Sequence, residues 1–162
     1  MTTHKPRSLK SKIVSQQKLA TILKSKHARA KTVFTNGCYD LLHLGHVTLL
    51  EKARGAGDLL IVALNTDQSV QRLKGKGRPL NALKIRAAVM AAIESVDYVT
   101  WFDEDTPLKA ILKLKPKVLV KGGDYKADSI VGAREVKQWN GKVKIIPFVK
   151  GQSTTGLIAK FS

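Results

Sequence analysis

Acidic side chains are scarce in this sequence: 12 Asp and Glu stand against 29 Lys and Arg, a formal charge of +17 over 162 residues. Such an excess raises a polyanion, nucleic acid first, as a class of partner. Its placement argues for something blander, because nine of the cations (Lys5, Arg7, Lys10, Lys12, Lys18, Lys24, Lys26, Arg29 and Lys31) fall in residues 1–31, which hold no acid at all. Aromatic residues are also few, at 6%, and the interleaving of rings with cations on which single-strand binders stack bases is missing. A basic nucleic-acid-binding module is therefore the minor alternative. Cysteine occurs once, at Cys38, which excludes an internal disulfide and a thiolate zinc centre. Of the four histidines, His4 and His27 lie in the basic stretch 1–31, away from the other two, so a histidine-built metal site is not expected either. No apolar run approaches the ~20 residues that cross a bilayer, and the basic N-terminus has no apolar stretch behind it. A soluble, cytoplasmic protein with no membrane partner is the expectation.

What is present suits one core. A chain 43% hydrophobic and of this length fits one domain of ~100–200 residues, which we place at 15–162 behind a flexible basic leader at 1–14. Apolar periodicity alternates along it without an internal repeat. Leu19, Ile22 and Leu23 have helical spacing, and residues 31–36 read as a short buried strand. Val47, Leu50 and Ala53 mark a helix that Gly55 and Gly57 stop. Residues 58–65 form an uninterrupted apolar run, as in a parallel strand covered on both faces. Ile85, Val89, Ala92, Ile93 and Val96 mark another helix, followed by a strand at 97–102. A helix at 105–116 should start at an Asp105 or Thr106 cap with Pro107 in its first turn. A strand at 117–121, a segment at 132–140 and a strand at 142–149 complete the series. Strands alternating with helices predict an α/β, Rossmann-like fold with a five-stranded parallel sheet. Ligands of such sheets bind beyond the carboxyl ends of the strands.

The stretch TNGCYDLLHLGH, residues 35–46, falls at such an end. Gly37, Cys38, Tyr39 and Asp40 leave the strand, and a helix starting near Gly45 offers free N–H groups and a positive dipole end to an anion. His43 and His46, three apart, project on one side of that helix start. Two imidazole donors beside bare amides suit a reaction that shifts negative charge on phosphorus. Cys38 reads as a packing residue. Arg72, Lys74, Lys76 and Arg78 surround two glycines as a mobile cationic loop fit to close on phosphate. Lys121, Gly122, Gly123, Asp124 and Tyr125 follow a strand directly, the glycines allowing close approach and Asp124 able to accept from ribose hydroxyls. Ser153, Thr154 and Thr155 open a last helix after Gly151. Asn65 and Asp67, after the second long strand, are candidates for the acceptor side. Trp101 and Trp139 read as core or interface.

Together these stretches resemble a known family. VFTNGCYDLLHLGHVTLLEKAR carries the HxGH signature of the nucleotidyltransferase superfamily, which includes cytidylyltransferases and pantetheine-phosphate adenylyltransferase. RLKGKGRPLNALKIR, SVDYVTWFDEDTP, VLVKGGDY, IVGAREV and GQSTTGLI, in that order, are similar to the adenylyltransferases of ADP-heptose synthesis, often the second half of a bifunctional heptose kinase/adenylyltransferase. The resemblance covers about residues 15–160 and implies a stand-alone form of that half. It implies transfer of AMP from ATP to D-glycero-β-D-manno-heptose 1-phosphate with release of pyrophosphate, for lipopolysaccharide inner core. The implied catalytic residues are His43 and His46. The implied nucleotide and phosphate contacts are Thr35, Asn36, Gly37, Cys38, Tyr39, Gly45, Lys74, Arg86, Gly122, Gly123, Asp124, Ser153, Thr154 and Thr155. Asp40, Asn65, Asp67 and Tyr125 are implied on the sugar side. Mg²⁺ would be the cofactor, carried by the phosphates without a protein cage, and a homodimer the assembly. Phe148 stands where cytidylyltransferases place an arginine, which argues against CTP. The alternative within enzymes is another phosphorylated acceptor, such as glycerol 3-phosphate.

Overall fold

A computed structural model describes residues 7–147. Phe148, Gln152 and the Ser153–Thr155 segment lie outside the described residues, as does His4. The elements run α1 (Leu9–Lys12), α2 (Gln16–Lys26), β1 (Thr32–Gly37), α3 (Leu44–Arg54), β2 (Leu59–Asn65), α4 (Asp67–Lys74), α5 (Leu83–Ala92), β3 (Tyr98–Phe102), α6 (Leu108–Leu114), β4 (Val118–Gly122), α7 (Ala133–Gln138) and β5 (Lys142–Ile146). All strand pairs are parallel, in the order β3-β2-β1-β4-β5. The expected α/β, Rossmann-like five-stranded sheet is the one observed.

The apolar strands are buried on both faces, which is why they lack polar alternation. Phe34, Ile61 and Leu119 pack on one face against Leu19 and Leu23 of α2, Ile111 and Leu114 of α6, and Val136 of α7. Val33, Leu60, Val62 and Val120 pack on the other against Leu50 and Ala53 of α3 and Ala87, Met90 and Ala91 of α5. In-register pairing sets Gly37 beside Leu64, Asn65 beside Phe102, and Gly122 beside Ile146. The carboxyl ends of β1, β2 and β4 therefore open onto one edge.

Four local readings change. The leader was expected to be mobile through residue 14, but Ser8 caps α1, Val14 is buried, and the Val14 N–H donates to the Val99 carbonyl at 3.0 Å. Residues 8–14 thus cover the exposed rim of edge strand β3. Helix α5 forms as its period predicts but turned over: Ile85 and Val89 are exposed, whereas Arg86, Ala87, Met90 and Ala91 are buried. The small side chains let the helix sit close to the sheet, and a charged group holds its inner face. Helix α6 takes Pro107 as its cap instead of Asp105 or Thr106, because both polar candidates face other partners or solvent. Helix α4, too short and polar to announce itself, is capped by Thr66, whose side chain accepts from the Ser69 N–H.

Candidate active site

At the end of β1 the backbone turns sharply. Tyr39 takes φ 47°, a left-handed conformation rare outside glycine, and this brings its ring back over Gly37. A Cβ at Gly37 would come to 2.9 Å from Tyr39 Cε2, so only glycine lets the ring lie there. The same ring meets His46 at 5.0 Å between centroids, and His46 in turn stacks on His43 at 3.8 Å. His43 is the N-cap of α3, with its side chain left free of capping. Its carbonyl accepts from the His46 and Val47 N–H groups, which leaves the first-turn amides of Leu44 and Gly45 as open donors.

The electrostatics follow from burial. Burial lowers the affinity of both imidazoles for a proton, and His46, which also feels His43, is pushed down to about 4. Near neutral pH both rings are neutral, and each carries one N–H. Both Nδ1 atoms are buried without a hydrogen-bond partner among the described residues. Burial likewise pushes the Tyr39 phenol up to about 12; the Thr35 hydroxyl opposes the shift without completing a hydrogen bond. Cys38 is held as a thiol, its pKa raised by burial, although Lys74, Arg86 and Arg78 oppose the shift.

A cavity of about 550 Å³ is lined by Asn36, Gly37, Cys38, Tyr39, Asp40, His46, Asn65, Leu73, Lys74, Arg78, Asp105–Pro107, Lys121, Tyr125 and Ser129–Val131; His43 and Gly45 are outside that lining, His43 being joined to it through its stack on His46. The structure thus brings together much of what the sequence singled out from four strand ends and loops. Asn65 is oriented by donating to Ser69 Oγ at 2.9 Å and accepting from the Cys38 thiol.

Other candidates have protein partners that give them different tasks. Asp40, expected on the sugar side, is buried, and both its oxygens are taken: Oδ2 by Arg78 Nε at 2.7 Å and the Leu80 N–H, Oδ1 by the Asn81 N–H. It fastens the 78–81 loop, and three of its acceptor positions are already used by protein donors. Arg86, expected on phosphate, is buried beneath that loop and does not line the cavity; it donates to the carbonyls of Asn81 and Cys38 and to Asp67 Oδ1. Asp67 is thereby engaged, and the same oxygen accepts from the Leu83 N–H at the start of α5. Arg72 is tied to Asp105 at 2.8 Å and to the Asp103 carbonyl, so of the expected cationic loop Lys74 alone both lines the cavity and lacks a carboxylate partner. The Gly123 N–H donates to the Ile146 carbonyl, and Asp124 is exposed outside the cavity lining. Lys121, quoted with its strand end but given no role of its own, lies in the cavity wall. The rule that function collects just after parallel strands was the signal that marked it.

The family model for cytidylyltransferase-like proteins matches residues 34–158. The chain belongs to that family. It is 53% identical over 151 residues to the "Bifunctional protein HldE" of Geotalea uraniireducens, covering 93% of this chain and 31% of the relative. It is 52% identical to the protein of the same name from Citrifermentans bemidjiense over 158 residues, 97% of this chain and 32% of that one, and 54% identical to that of Gluconobacter oxydans over 147 residues, 90% and 31%. The chain spans about one third of the length of these curated relatives. Among solved structures, a lipopolysaccharide core biosynthesis protein from Thermoplasma volcanium superposes with TM-score 0.61 at 28% identity, over 76% of this chain and 99% of that one. A pantoate-beta-alanine ligase from Francisella tularensis, crystallised with an ATP analogue and beta-alanine, shares the fold at TM-score 0.59 and 19% identity, over 91% of this chain and 76% of that one. Among the described residues no helix is long and apolar enough to cross a membrane.

Proposed function

We propose that this cytidylyltransferase-like domain transfers AMP from ATP to D-glycero-β-D-manno-heptose 1-phosphate, forming ADP-heptose for lipopolysaccharide inner core and releasing pyrophosphate. The observation that carries the reading is the stacked, neutral His43–His46 pair set beside the open amides of α3 at the mouth of the β1 turn. Likeness to the HldE proteins over 90% or more of the chain supports ATP and the heptose ester as reactants.

The chemistry asks little beyond placement. An oxygen of the sugar phosphate is already an anionic nucleophile; it forms the new bond to the α-phosphorus as the bond to the departing pyrophosphate breaks, and no proton need be removed. Catalysis then rests on holding two anions in line and countering the charge of the crowded phosphorus. The imidazole N–H groups and the amides of Leu44 and Gly45 donate to phosphoryl oxygens. A neutral imidazole N–H is too weak an acid to lose its proton to the leaving group, so it stays a hydrogen-bond donor throughout the step. Mg²⁺, when bound, would offset phosphate charge. Its ligands would come from the triphosphate, because the two carboxylates in the cavity wall, Asp40 and Asp105, are already committed to arginines. A cytoplasmic homodimer belongs to the same proposal, the exposed Ile85 and Val89 of α5 offering an apolar surface for a second copy.

Pyrophosphate release tests the reading. The purified chain is given ATP or CTP with Mg²⁺ and a panel of heptose 1-phosphate anomers, other sugar 1-phosphates and glycerol 3-phosphate. ATP with the β-heptose ester should be preferred by orders of magnitude; preference for CTP, or for a polyol phosphate, would overturn it.

A further inference from the structure

Lys121 is the penultimate residue of β4, with its side chain half-buried in the cavity wall. No carboxylate, carbonyl or hydroxyl among the described residues accepts from it, and a half-buried ammonium without a partner is a costly group for a fold to carry. The arginines in and around this cavity are accounted for: Arg78 has Asp40, Arg72 has Asp105, and Arg86 has Asp67. Neither of the carboxylates in the wall is free to serve Lys121. Burial pushes the Lys121 ammonium below the usual lysine range, Cys38 opposes that shift, and Lys74, which lines the same cavity from the end of α4, adds to it. Two lysines on different elements thus line one space together with His46 and the Cys38 thiol, and no carboxylate among the described residues pairs with either lysine.

We infer that Lys121 is a substrate-binding residue, its ammonium donating to a phosphoryl oxygen where the acceptor phosphate meets the α-phosphate of the nucleotide. This rests on the reading above in that both reactants bring phosphate to this cavity. The physical need is specific. When one phosphate approaches another, repulsion between them sets the cost of the encounter, and a half-buried cation fixed in the wall counters it more strongly than a fully solvated one. A lysine on a strand end is also placed by the sheet, with Lys121 in register with Ile145 of β5, whereas Lys74 sits at a helix end beside Gly75. Lys121 supplies the fixed charge of the two.

Lys121→Met and Lys121→Gln test this without altering the backbone. Both should keep the circular dichroism of the wild type and melt at the same or a higher temperature, since an unpaired, half-buried charge has been removed. Three quantities are then compared: calorimetric affinity for ATP, and for inorganic pyrophosphate, in the absence of acceptor; KM for the heptose ester; and kcat. A loss of about tenfold or more is expected in at least one. Loss of ATP affinity places the ammonium on the nucleotide, a raised KM on the acceptor phosphate, and a fall in kcat alone on the group in transfer. Changes under about twofold in all of them, or a lowered melting temperature in both variants, would overturn the inference. The ATP and pyrophosphate arms need no acceptor, so they still read Lys121 if the wild type proves inactive with the heptose ester, an outcome that would sink the proposed acceptor instead.

Discussion

Asp40 and Arg78, 38 residues apart in sequence, form a buried ion pair at 2.7 Å, and the same carboxylate accepts from the Leu80 and Asn81 amides. Burial alone would raise the Asp40 pKa, yet these donors hold it below the usual carboxylate range. One side chain therefore ties the loop after α4 to the turn after β1. Asp40→Ala would leave Arg78 and two amides without their acceptor, and we expect a loss of about 3–5 kcal/mol in urea unfolding. In a double-mutant cycle, Asp40→Ala and Arg78→Ala should be strongly non-additive. Independent effects would show that the pair is not the fastening it looks to be.

Arg86 works from beneath the same turn. Its side chain is fully buried and links the carbonyls of Cys38 and Asn81 to Asp67. Lysine cannot reproduce three bonds that diverge from a planar guanidinium. Arg86→Lys should lose about 2–4 kcal/mol of stability, as one charged bond and two carbonyl partners are given up. Chemical unfolding measures this directly. A lysine variant as stable as the wild type would mean the clamp is incidental.

The histidine pair makes stability depend on pH. The folded-state pKa of His46 is about 4, and an unfolded histidine titrates near 6.5. Between those values the unfolded chain binds a proton that the folded chain refuses. Stability is therefore complete above about pH 6.5 and falls as pH drops toward 4, by about 2 kcal/mol once the solvent-facing edge of the ring is allowed for. Melting curves from pH 7.5 to 4.5 should be flatter for His46→Gln than for the wild type. Equal slopes would contradict a neutral, buried ring. At pH 7.5 the same variant should lose roughly 10²–10³-fold in kcat, the usual cost of removing a donor to the reacting phosphoryl group.

Gly37 has a role that no polar contact reveals. A methyl group there would press on the Tyr39 ring at 2.9 Å, and that ring packs on His46. Gly37→Ala should cost about 1–3 kcal/mol of stability through overpacking but reduce kcat by about tenfold or more by displacing the imidazole. Unchanged turnover would show that Tyr39 does not orient His46.

Much of this protein could be read from local pattern. The apolar runs at 31–36 and 58–65 and the period after His46 define strands and a helix whatever the tertiary setting, since burial on two faces or one stripe leaves a mark every few residues. Short, polar α4 left no such mark. The site motif was legible for a related reason: the turn after β1, the glycines and the two histidines lie within a dozen residues, although His43 is the extended N-cap of α3 and it is the turn, not the helix, that stacks its ring on His46.

Which charges remain available was beyond the sequence, because it is settled by pairs far apart in the chain. Asp40 looked like a substrate ligand until Arg78 was seen beside it, and Arg86 looked like a phosphate contact until Cys38, 48 residues away, was found on its guanidinium. Lys121 looked like one lysine among many. The order of strands and helices, and the histidine pair at a strand end, follow from short-range periodicity. The choice of free cation, the inward face of α5 and the docking of residues 8–14 on β3 follow from close packing, in which every buried donor and acceptor must find a partner that the chain can bring to it only by folding.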